Sequence, residues 1–250
     1  MSVTPSRHTA LVTGASKGLG RSIAEQLAAA GHRVVVNYFS SSREANAVVE
    51  GIRAKGGQAI AVQADVRDPA QVHELVTAAQ KAFGSIAIIV HNATGPQPMK
   101  PLENYTWTDF QDQLDFFVKA PVLLTQATIA AMRRARWGRI ILIGSEVVDV
   151  GNADFSAYVA AKGAMVGLTR AWAREFGPAQ ITVNLVAPGW IPVERHAGSP
   201  AAALSNYAQA VPLRRQGVPD DVGAAVVYLA SEGAGFVTGQ CLSVNGGNTF

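Results

Sequence analysis

Short apolar runs alternate with longer amphipathic stretches along the whole chain, and this alternation constrains the fold most strongly. The apolar runs are continuous rather than alternating in and out, which is typical of parallel strands covered on both faces. The predicted strands are 9–13, 33–38, 58–64, 86–91, 138–143, 181–187 and 240–244, and the predicted helices are 19–30, 43–55, 69–83, 107–136, 155–176 and 220–230. We therefore predict an α/β fold, a doubly wound parallel sheet of about seven strands with helices on both faces.

No linker or internal repeat interrupts this pattern, so residues 1–250 are predicted to form a single domain. Residues 191–213 are less regular and contain three prolines and a glycine. Such a segment beside one edge of a sheet is typical of an insertion. We interpret it as a lid over a substrate site.

Composition excludes several classes of protein. Apolar residues make up 48% of the chain and charged residues 16%, a balance that excludes bulk disorder. The single cysteine, Cys241, excludes an internal disulfide framework and a multi-cysteine metal site, and it fits a reducing compartment. No continuous apolar run approaches the length of a membrane helix, and the net charge of +3 is weak evidence for any partner. We expect a cytoplasmic protein that binds no metal, nucleic acid or membrane.

A glycine-rich turn follows the first predicted strand and leads directly into a helix. It covers Thr13–Gly20 with the spacing Gly-x3-Gly-x-Gly, which differs from the usual dinucleotide fingerprint Gly-x-Gly-x-x-Gly. Glycines here allow a pyrophosphate to approach backbone N–H groups at the positive end of the helix. The alternative is a plain glycine-rich turn, but its position after the first strand favours a nucleotide.

The end of the second predicted strand distinguishes NAD from NADP. An acidic residue there would bind a ribose 2′-hydroxyl and repel a 2′-phosphate, and no acid occurs before Glu44. Lys17, the hydroxyls of residues 40–42 and Arg43 could together hold a phosphate. The alternative is a serine-rich loop that caps the next helix. We predict a preference for NADP.

Tyr158 and Lys162 are four residues apart in a predicted helix and therefore share a face. A nearby ammonium favours phenolate and would lower the pKa of the tyrosine towards neutral pH. Ser145, at the end of the preceding strand, could polarise a substrate carbonyl. The alternative is an incidental surface pair.

Taken together, these motifs resemble those of the short-chain dehydrogenase/reductase family over essentially the whole chain. The family's Thr-Gly-x3-Gly-x-Gly is similar to Thr13–Gly20, and its Ser and Tyr-x3-Lys to Ser145 and Tyr158–Lys162. Further matches are Asp65-Val66, Asn92-Ala93, Pro188-Gly189, Thr238-Gly239-Gln240 and Val244–Gly247. The resemblance implies a Rossmann-type fold and, most specifically, a similarity to the β-ketoacyl carrier-protein reductases.

The resemblance also implies a role for each matched residue. Tyr158 would be the general acid in reduction, Ser145 would position the carbonyl oxygen, and Lys162 would lower the tyrosine pKa and hold the nicotinamide ribose. The implied cofactor-binding residues are Gly14, Ser16, Lys17, Gly18, Leu19, Gly20, Asn37, Ser40, Ser41, Arg43, Asp65, Val66, Asn92, Ala93, Thr94, Tyr158, Lys162, Pro188, Gly189 and Ile191.

Three positions depart from the family pattern. Thr94 replaces a glycine, Val193 replaces a threonine, and Phe117 stands where the family has a catalytic asparagine. Pro121 lies four residues beyond Phe117 and has no N–H for the Phe117 carbonyl. One hypothesis is that this freed carbonyl holds a relay water beside Lys162; the alternative is that the proline merely bends a core helix.

The resulting expectation is an NADPH-dependent carbonyl reductase acting on a 3-oxoacyl thioester or a similar ketone. The alternatives are an alcohol or sugar dehydrogenase of the same family, or a dinucleotide-binding protein with little turnover, which Phe117 keeps open. By the same resemblance, Arg136 matches an arginine that helps to dock an acidic acyl carrier protein, although the second basic residue expected is replaced by Ala179-Gln180. We expect a homotetramer or a homodimer.

Overall fold

A computed structural model describes residues 7–250 and contains one seven-stranded parallel sheet of order β3-β2-β1-β4-β5-β6-β7. The strands are β1 Thr9–Val12, β2 Arg33–Tyr38, β3 Gln58–Gln63, β4 Ile86–His91, β5 Gly138–Ile143, β6 Ile181–Pro188 and β7 Cys241–Val244. Every pairing between neighbours is parallel. The predicted doubly wound α/β fold is confirmed.

The helices follow the predicted pattern with two differences. They are α1 Gly18–Ala29, α2 Ser42–Ala54, α3 Pro69–Phe83, α4 Trp107–Leu114, α5 Ala120–Ala135, a short α6 Val147–Val150, α7 Ser156–Phe176, α8 Ala201–Ala210 and α9 Pro219–Ala230. The predicted helix 107–136 is present, but a π-helical turn, Asp115–Lys119, interrupts it and separates α4 from α5. The predicted irregular segment 191–213 contains the ten-residue helix α8.

Alternate residues of each strand face different helical layers, which explains the continuous apolar runs. Leu11 of β1 packs in the cluster that includes residues of α3, α5 and α7. Ala10 and Val12 pack in the cluster that includes residues of α1, α2 and α9. Both faces of the sheet are therefore buried.

Local signals explain why individual helices begin where they do. The Asp68 side chain accepts hydrogen bonds from the backbone N–H groups of Ala70 (2.8 Å) and Gln71 (3.1 Å), and Pro69 occupies the first turn of α3. Such a cap satisfies donors that have no partner within the helix. The predicted bounds of α3 are confirmed exactly.

One helix, Trp107–Ala135, which joins α4, the π turn and α5, has the length and mean hydropathy (1.3) to cross a membrane by those criteria alone. Its Phe117, Leu124 and Met132 belong to the core against the sheet. One side of the helix therefore packs in the core, and a third of its most apolar 18-residue window is buried.

The strand order reverses between β1 and β4, so the loops after these neighbouring strands diverge to opposite faces. Ligands of doubly wound folds bind at the carboxyl ends of strands at such a switch point. The glycine-rich turn follows β1 and Asn92 follows β4, while Ser145 follows β5 close by. The fold thus brings the predicted motifs to one end of the sheet.

Candidate active site

The glycine-rich turn after β1 has the backbone that its sequence requires. Gly14 (φ 61°) and Gly18 (φ 54°) adopt left-handed conformations that other residues rarely adopt. A Cβ atom at Gly20 would overlap the Gly14 carbonyl oxygen and the Asn92 side chain. Each glycine in the turn is therefore fixed by conformation or by close approach.

Helix α1, which follows this turn, begins without a side-chain cap: no side chain bonds its N-terminus at Lys17, and its first turn contains no acidic residue. Free N–H groups and the positive end of the helix dipole form a site for an anion. This uncapped terminus fits the pyrophosphate of a dinucleotide.

Two asparagines assigned to the cofactor brace the turn instead of pointing freely into the site. Asn37 is buried; its Oδ1 accepts from the Gly14 N–H (3.3 Å) and its Nδ2 donates to the Ala64 carbonyl (3.1 Å). The Asn92 Nδ2 donates to the carbonyls of Thr13 (2.9 Å) and Gly14 (3.1 Å). Buried amides need such partners, so both side chains hold the loop in shape.

An acidic residue lies within the predicted phosphate site. The Lys17 Nζ is 3.1 Å from the Glu44 Oε1, and both side chains are about half-exposed. Hydrogen bonds from the Glu44 backbone and from Lys17 hold the pKa of the Glu44 carboxyl below its usual value. Ser40 and Arg43 are exposed beside the start of α2. Lys17 is thus paired with the Glu44 carboxylate, a residue that lay outside the phosphate site predicted from the sequence.

Asp65, assigned above to the cofactor, also has a protein partner. Arg67 donates from Nε to Asp65 Oδ1 (2.9 Å) and from its terminal nitrogen to Oδ2 (2.7 Å), which lowers the pKa of the Asp65 carboxyl.

The other assigned cofactor residues differ in exposure. The buried ones are Val66, Pro188 and Ile191. The half-buried ones are Ser16, Leu19, Ala93, Gly189 and, at the start of α2, Ser41, while Thr94 is exposed.

Ser145 and Tyr158 are brought together by the fold. Ser145 follows β5, Tyr158 lies in the first turn of α7, and the Ser145 side chain lies close enough to the Tyr158 hydroxyl to influence its pKa. Burial raises the pKa of Tyr158, while the charge of Arg195 and the Ser145 side chain lower it to a smaller extent. This direction is opposite to the lowering that the sequence predicted, and it keeps the hydroxyl protonated.

Phe117 packs against both Tyr158 and Lys162. Its ring is 2% exposed, its centroid is 3.7 Å from the Lys162 Nζ, and it meets the Tyr158 ring edge-on at 5.4 Å. The face of an aromatic ring attracts an ammonium group. The phenylalanine therefore replaces the amide contacts of the family's asparagine with a cation–π contact.

The Lys162 ammonium has one strong hydrogen bond, donated to the Ile143 carbonyl at 2.7 Å. Burial, followed by the charge of Arg195, holds the pKa of Lys162 well below its usual value. The carbonyl and the Phe117 ring face both favour the charged form. Two opposing effects therefore act on the protonation of Lys162: desolvation favours the neutral amine, and these two contacts favour the ammonium.

The helix carrying Phe117 has irregular hydrogen bonding at this position. In the π turn Asp115–Lys119, the Ala120 N–H bonds the Asp115 carbonyl, five residues back. Pro121 follows and has no N–H for the carbonyls four or five residues before it. A π turn therefore lies just before Pro121, and the freed Phe117 carbonyl with its relay water stays a prediction.

Sequence reasoning missed Arg195 as a site residue. It lies in the short 3₁₀ turn Glu194–His196, and its Nε donates to His196 Nε2 at 3.2 Å. Its charge acts on both Tyr158 and Lys162. No motif identifies this position, because only the return of the loop after β6 brings it close.

Two cavities lie near these residues. One of about 630 Å³ is lined by Ile191, Tyr207 and the C-terminal residues, and not by Ser145 or Lys162. A smaller one of about 230 Å³ is lined by Ser145 and Lys162. Within residues 7–250, no group of three or more His, Cys, Asp or Glu side chains is placed to hold a metal ion.

Comparison with known proteins agrees with this geometry. A family model described as enoyl-(acyl carrier protein) reductase matches residues 14–249. The 3-oxoacyl-(acyl-carrier-protein) reductase FabG of Staphylococcus aureus (strain N315) is 40% identical over 241 residues, covering 96% of this chain and 97% of the relative.

Solved structures give the same result. A short-chain dehydrogenase/reductase from Serratia marcescens BCRC 10948 superposes with a TM-score of 0.91 at 32% identity, covering 99% of this chain and 100% of the other. A blue fluorescent protein from a metagenomic library, in complex with NADPH, has a TM-score of 0.89 at 35% identity, with 97% and 98% covered.

The fold, the uncapped helix terminus and these relatives define an NAD(P)-dependent oxidoreductase. The chain belongs to the short-chain dehydrogenase/reductase family. The similarity to 3-oxoacyl reductases that the motifs implied is confirmed.

Proposed function

We propose that this protein is an NADPH-dependent carbonyl reductase that acts on a 3-oxoacyl thioester or a similar ketone. The proposal depends mainly on one observation: Ser145 lies next to the buried, protonated Tyr158, which is one helical turn from Lys162. A protonated phenol is the form that a general acid needs when a ketone is reduced. The name of the Staphylococcus aureus relative supports the substrate class.

In the proposed mechanism, Ser145 donates a hydrogen bond to the ketone oxygen and fixes its position beside Tyr158. Tyr158 then transfers its hydroxyl proton to that oxygen as negative charge develops there. Lys162 stabilises the resulting phenolate by its charge. When bound, a nicotinamide dinucleotide would supply the hydride. The glycine turn and the α1 terminus would hold its pyrophosphate, and the other cofactor-binding residues assigned above would surround the rest of the dinucleotide.

The proposal extends to the organisation of the chain. Residues 1–250 act as one domain, with 191–213 closing over the substrate, and the protein works in the cytoplasm as a homotetramer or homodimer. An acyl carrier protein is the proposed natural carrier of the thioester, with exposed Arg136 among its contacts.

The test follows NADPH oxidation with acetoacetyl-coenzyme A, beside NADH and the Tyr158→Phe variant. We expect turnover with NADPH and a loss of roughly 10²–10⁴-fold in the variant, because the ring stays and only the acid is removed. Tyr228→Phe, at an exposed position on α9, is the matched control and should retain full activity.

Other outcomes separate the alternatives. Reduction of crotonyl-coenzyme A but not of the ketone would make the protein an enoyl reductase, as the description of the family model suggests. Oxidation of alcohols or sugars alone would favour a dehydrogenase. Tight NADPH binding with no turnover on any of these substrates would contradict the enzyme proposal in favour of a binding protein.

The proposed preference for NADP predicts an effect of Glu44. Glu44→Gln removes the carboxylate 3.1 Å from the Lys17 Nζ, so the ammonium becomes available to a 2′-phosphate. Because this ion pair is exposed and screened by solvent, its effect is small, and we expect NADPH to bind about two- to fivefold more tightly. Titration of NADPH and NADH by fluorescence measures this change.

Glu50→Gln, on the exposed side of the same helix, is the control for the change in net charge. NADH affinity should stay constant in both variants. An unchanged NADPH affinity in a Lys17→Ala variant would contradict the assignment of Lys17 to the phosphate.

A further inference from the structure

Glu146, the residue directly after Ser145, has a buried carboxylate with two partners distant in sequence. It is 6% exposed. Its Oε1 accepts a hydrogen bond from the Tyr207 hydroxyl (2.8 Å), and its Oε2 accepts one from the Asn248 Nδ2 (3.0 Å). Its backbone N–H donates to the Pro188 carbonyl (3.0 Å). One side chain therefore joins the loop of Ser145 to α8 and to the C-terminal segment.

Tyr207 extends this connection to the chain after β6. Its hydroxyl oxygen accepts a hydrogen bond from the Trp190 N–H (2.9 Å) while its proton is donated to Glu146. A Cβ at Gly189 would overlap that oxygen, so glycine is required there. The Trp190 ring packs edge-on against Tyr207 (5.7 Å) and His196 (6.4 Å). Tyr207 thus holds Trp190 in two ways: its hydroxyl bonds the backbone N–H, and its ring packs against the indole.

The protonation of Tyr207 matches this arrangement. Burial, together with the acceptor Glu146, raises the pKa of Tyr207 well above its usual value. The hydroxyl therefore stays a donor at every pH at which the protein would work. Hydrogen bonds to a buried charged group are among the stronger ones in proteins.

We propose that Glu146 is a positioning residue that holds segment 191–213 and the C-terminal segment against the loop of Ser145, through Tyr207 and Asn248. Both of its carboxylate oxygens are bonded to protein donors, and it acts by keeping Trp190 and α8 in place beside the site. The proposal deepens the carbonyl reductase function and rests on it for its kinetic consequence.

The first experiment needs no substrate. Hydrogen–deuterium exchange of the α8 amides is compared in the unmodified protein and in the Glu146→Ala and Tyr207→Phe variants. Losing a hydrogen bond to a charged group predicts about tenfold faster exchange or more. Glu175→Ala, which removes a surface pair with Arg133, is the control and should leave α8 unchanged.

A paired substitution makes the test specific. Glu146→Gln keeps an acceptor for Tyr207 but places an amide donor opposite the Asn248 donor. Adding Asn248→Asp restores a donor–acceptor pair. We expect faster exchange in Glu146→Gln alone and recovery towards the original rate in the double variant, an effect that a general loss of stability would not reverse.

The proposal also predicts that KM changes more than kcat. In Tyr207→Phe we expect KM for the ketone to rise about tenfold while kcat stays within about threefold, because Ser145, Tyr158 and Lys162 are unaltered. If Glu146→Ala does not fold, Tyr207→Phe and the paired substitution still decide the matter.

Unchanged α8 exchange in Tyr207→Phe and in Glu146→Gln would overturn the proposal. So would faster exchange accompanied by an unchanged KM, since the contact would then be structural only. Absence of turnover in the unmodified protein would contradict the proposed function and not the role of Glu146, because the exchange comparison and its recovery stand without a substrate.

Discussion

At the scale of single residues, Phe117 changes the environment of Lys162 most. The ammonium is buried, and its desolvation is offset by the Ile143 carbonyl and the Phe117 ring face, with the Met165 Sδ (3.7 Å) and the Tyr158 ring (5.4 Å) as weaker contacts. A desolvated cation–π contact contributes about 2 kcal/mol, which corresponds to more than one pKa unit. Phe117 is therefore compatible with a charged lysine even though it cannot make the hydrogen bonds of an asparagine.

This contact predicts a pH-dependent effect of Phe117→Leu. Without the ring face, the pKa of Lys162 falls further, so the ammonium is lost at lower pH. We expect kcat/KM to decline by about tenfold near neutral pH, and the loss to be smaller at pH 6 and larger at pH 9. The measurement is the pH profile of kcat/KM with NADPH.

Phe110→Leu removes the two ring contacts of Phe110, with Tyr105 and Trp107, without touching Lys162 and serves as the control. Parallel pH profiles for Phe117→Leu and the unmodified enzyme would show that the ring has no influence on the lysine. Denaturant unfolding of each variant separates any loss of stability.

The sequence identified Ser145, Tyr158 and Lys162 because their spacing on a predicted strand end and helix face brings them together. It could not identify the partners that fold from distant segments. The pairing of Lys17 with Glu44 depends on where α2 begins relative to the glycine turn. Asn37 and Asn92 match cofactor-binding positions of the family, yet their side chains form hydrogen bonds with backbone carbonyls of the loops. Only the three-dimensional structure shows these contacts.

At the scale of elements, the interruption between α4 and α5 is the clearest departure from regular structure. The π turn ends at Lys119, two residues before Pro121. The N–H group that the proline lacks and the shift in the hydrogen-bond register of the helix therefore occur at the same place. Such turns occur frequently at functional sites. Here the turn carries Phe117 against Lys162.

Pro121→Ala tests the importance of this interruption. Alanine supplies the N–H that allows a regular turn and is the better helix former, so we expect stability to be maintained or raised. Regular bonding would rotate Phe117 away from Lys162, and we expect kcat to fall about tenfold. The measurements are thermal unfolding and steady-state kinetics.

A control at another proline in a first turn, Pro69→Ala at the start of α3, should leave kcat unaffected. Unchanged turnover in Pro121→Ala would contradict both this expectation and the earlier hypothesis that a freed Phe117 carbonyl serves a relay. The proline would then only shape the core.

Most elements were predictable because each carried its own local signal. The bounds of β2, β4, β5 and α3 match exactly, since continuous apolar runs or a capped start define them. Helix α8 was missed because glycine and prolines surround it and it has no fully buried residue. Its position is fixed by Tyr207 through tertiary contacts that no local pattern contains.

At the scale of the whole molecule, buried histidines predict a loss of stability in mild acid. Burial lowers the pKa of His91 to about 3, and it lowers those of His8, His32 and His196 by smaller amounts. The unfolded chain takes up protons below about pH 6.5 while folded His91 stays neutral, so stability is lost as pH falls through this window.

The expected slope from His91 alone is up to about 1.4 kcal/mol per pH unit below pH 6.5. Urea unfolding between pH 7 and pH 5 measures it. His91→Gln retains a polar partner for Thr125, which lies 3.3 Å from the ring, and should flatten the dependence. His73→Gln, at an exposed position, should not; equal slopes in the two variants would refute the prediction.

The last strand, β7, lies at one edge of the sheet and begins with Cys241, whose thiol is the only one in the chain. Partial burial raises the pKa of this thiol, so it should react slowly with maleimides at neutral pH. Because Cys241 carries the only thiol and reacts slowly, its labelling rate can report whether copies of the protein associate. If a second copy covers this edge, labelling slows as protein concentration rises, and the dilution at which the reaction accelerates gives the strength of assembly without any substitution.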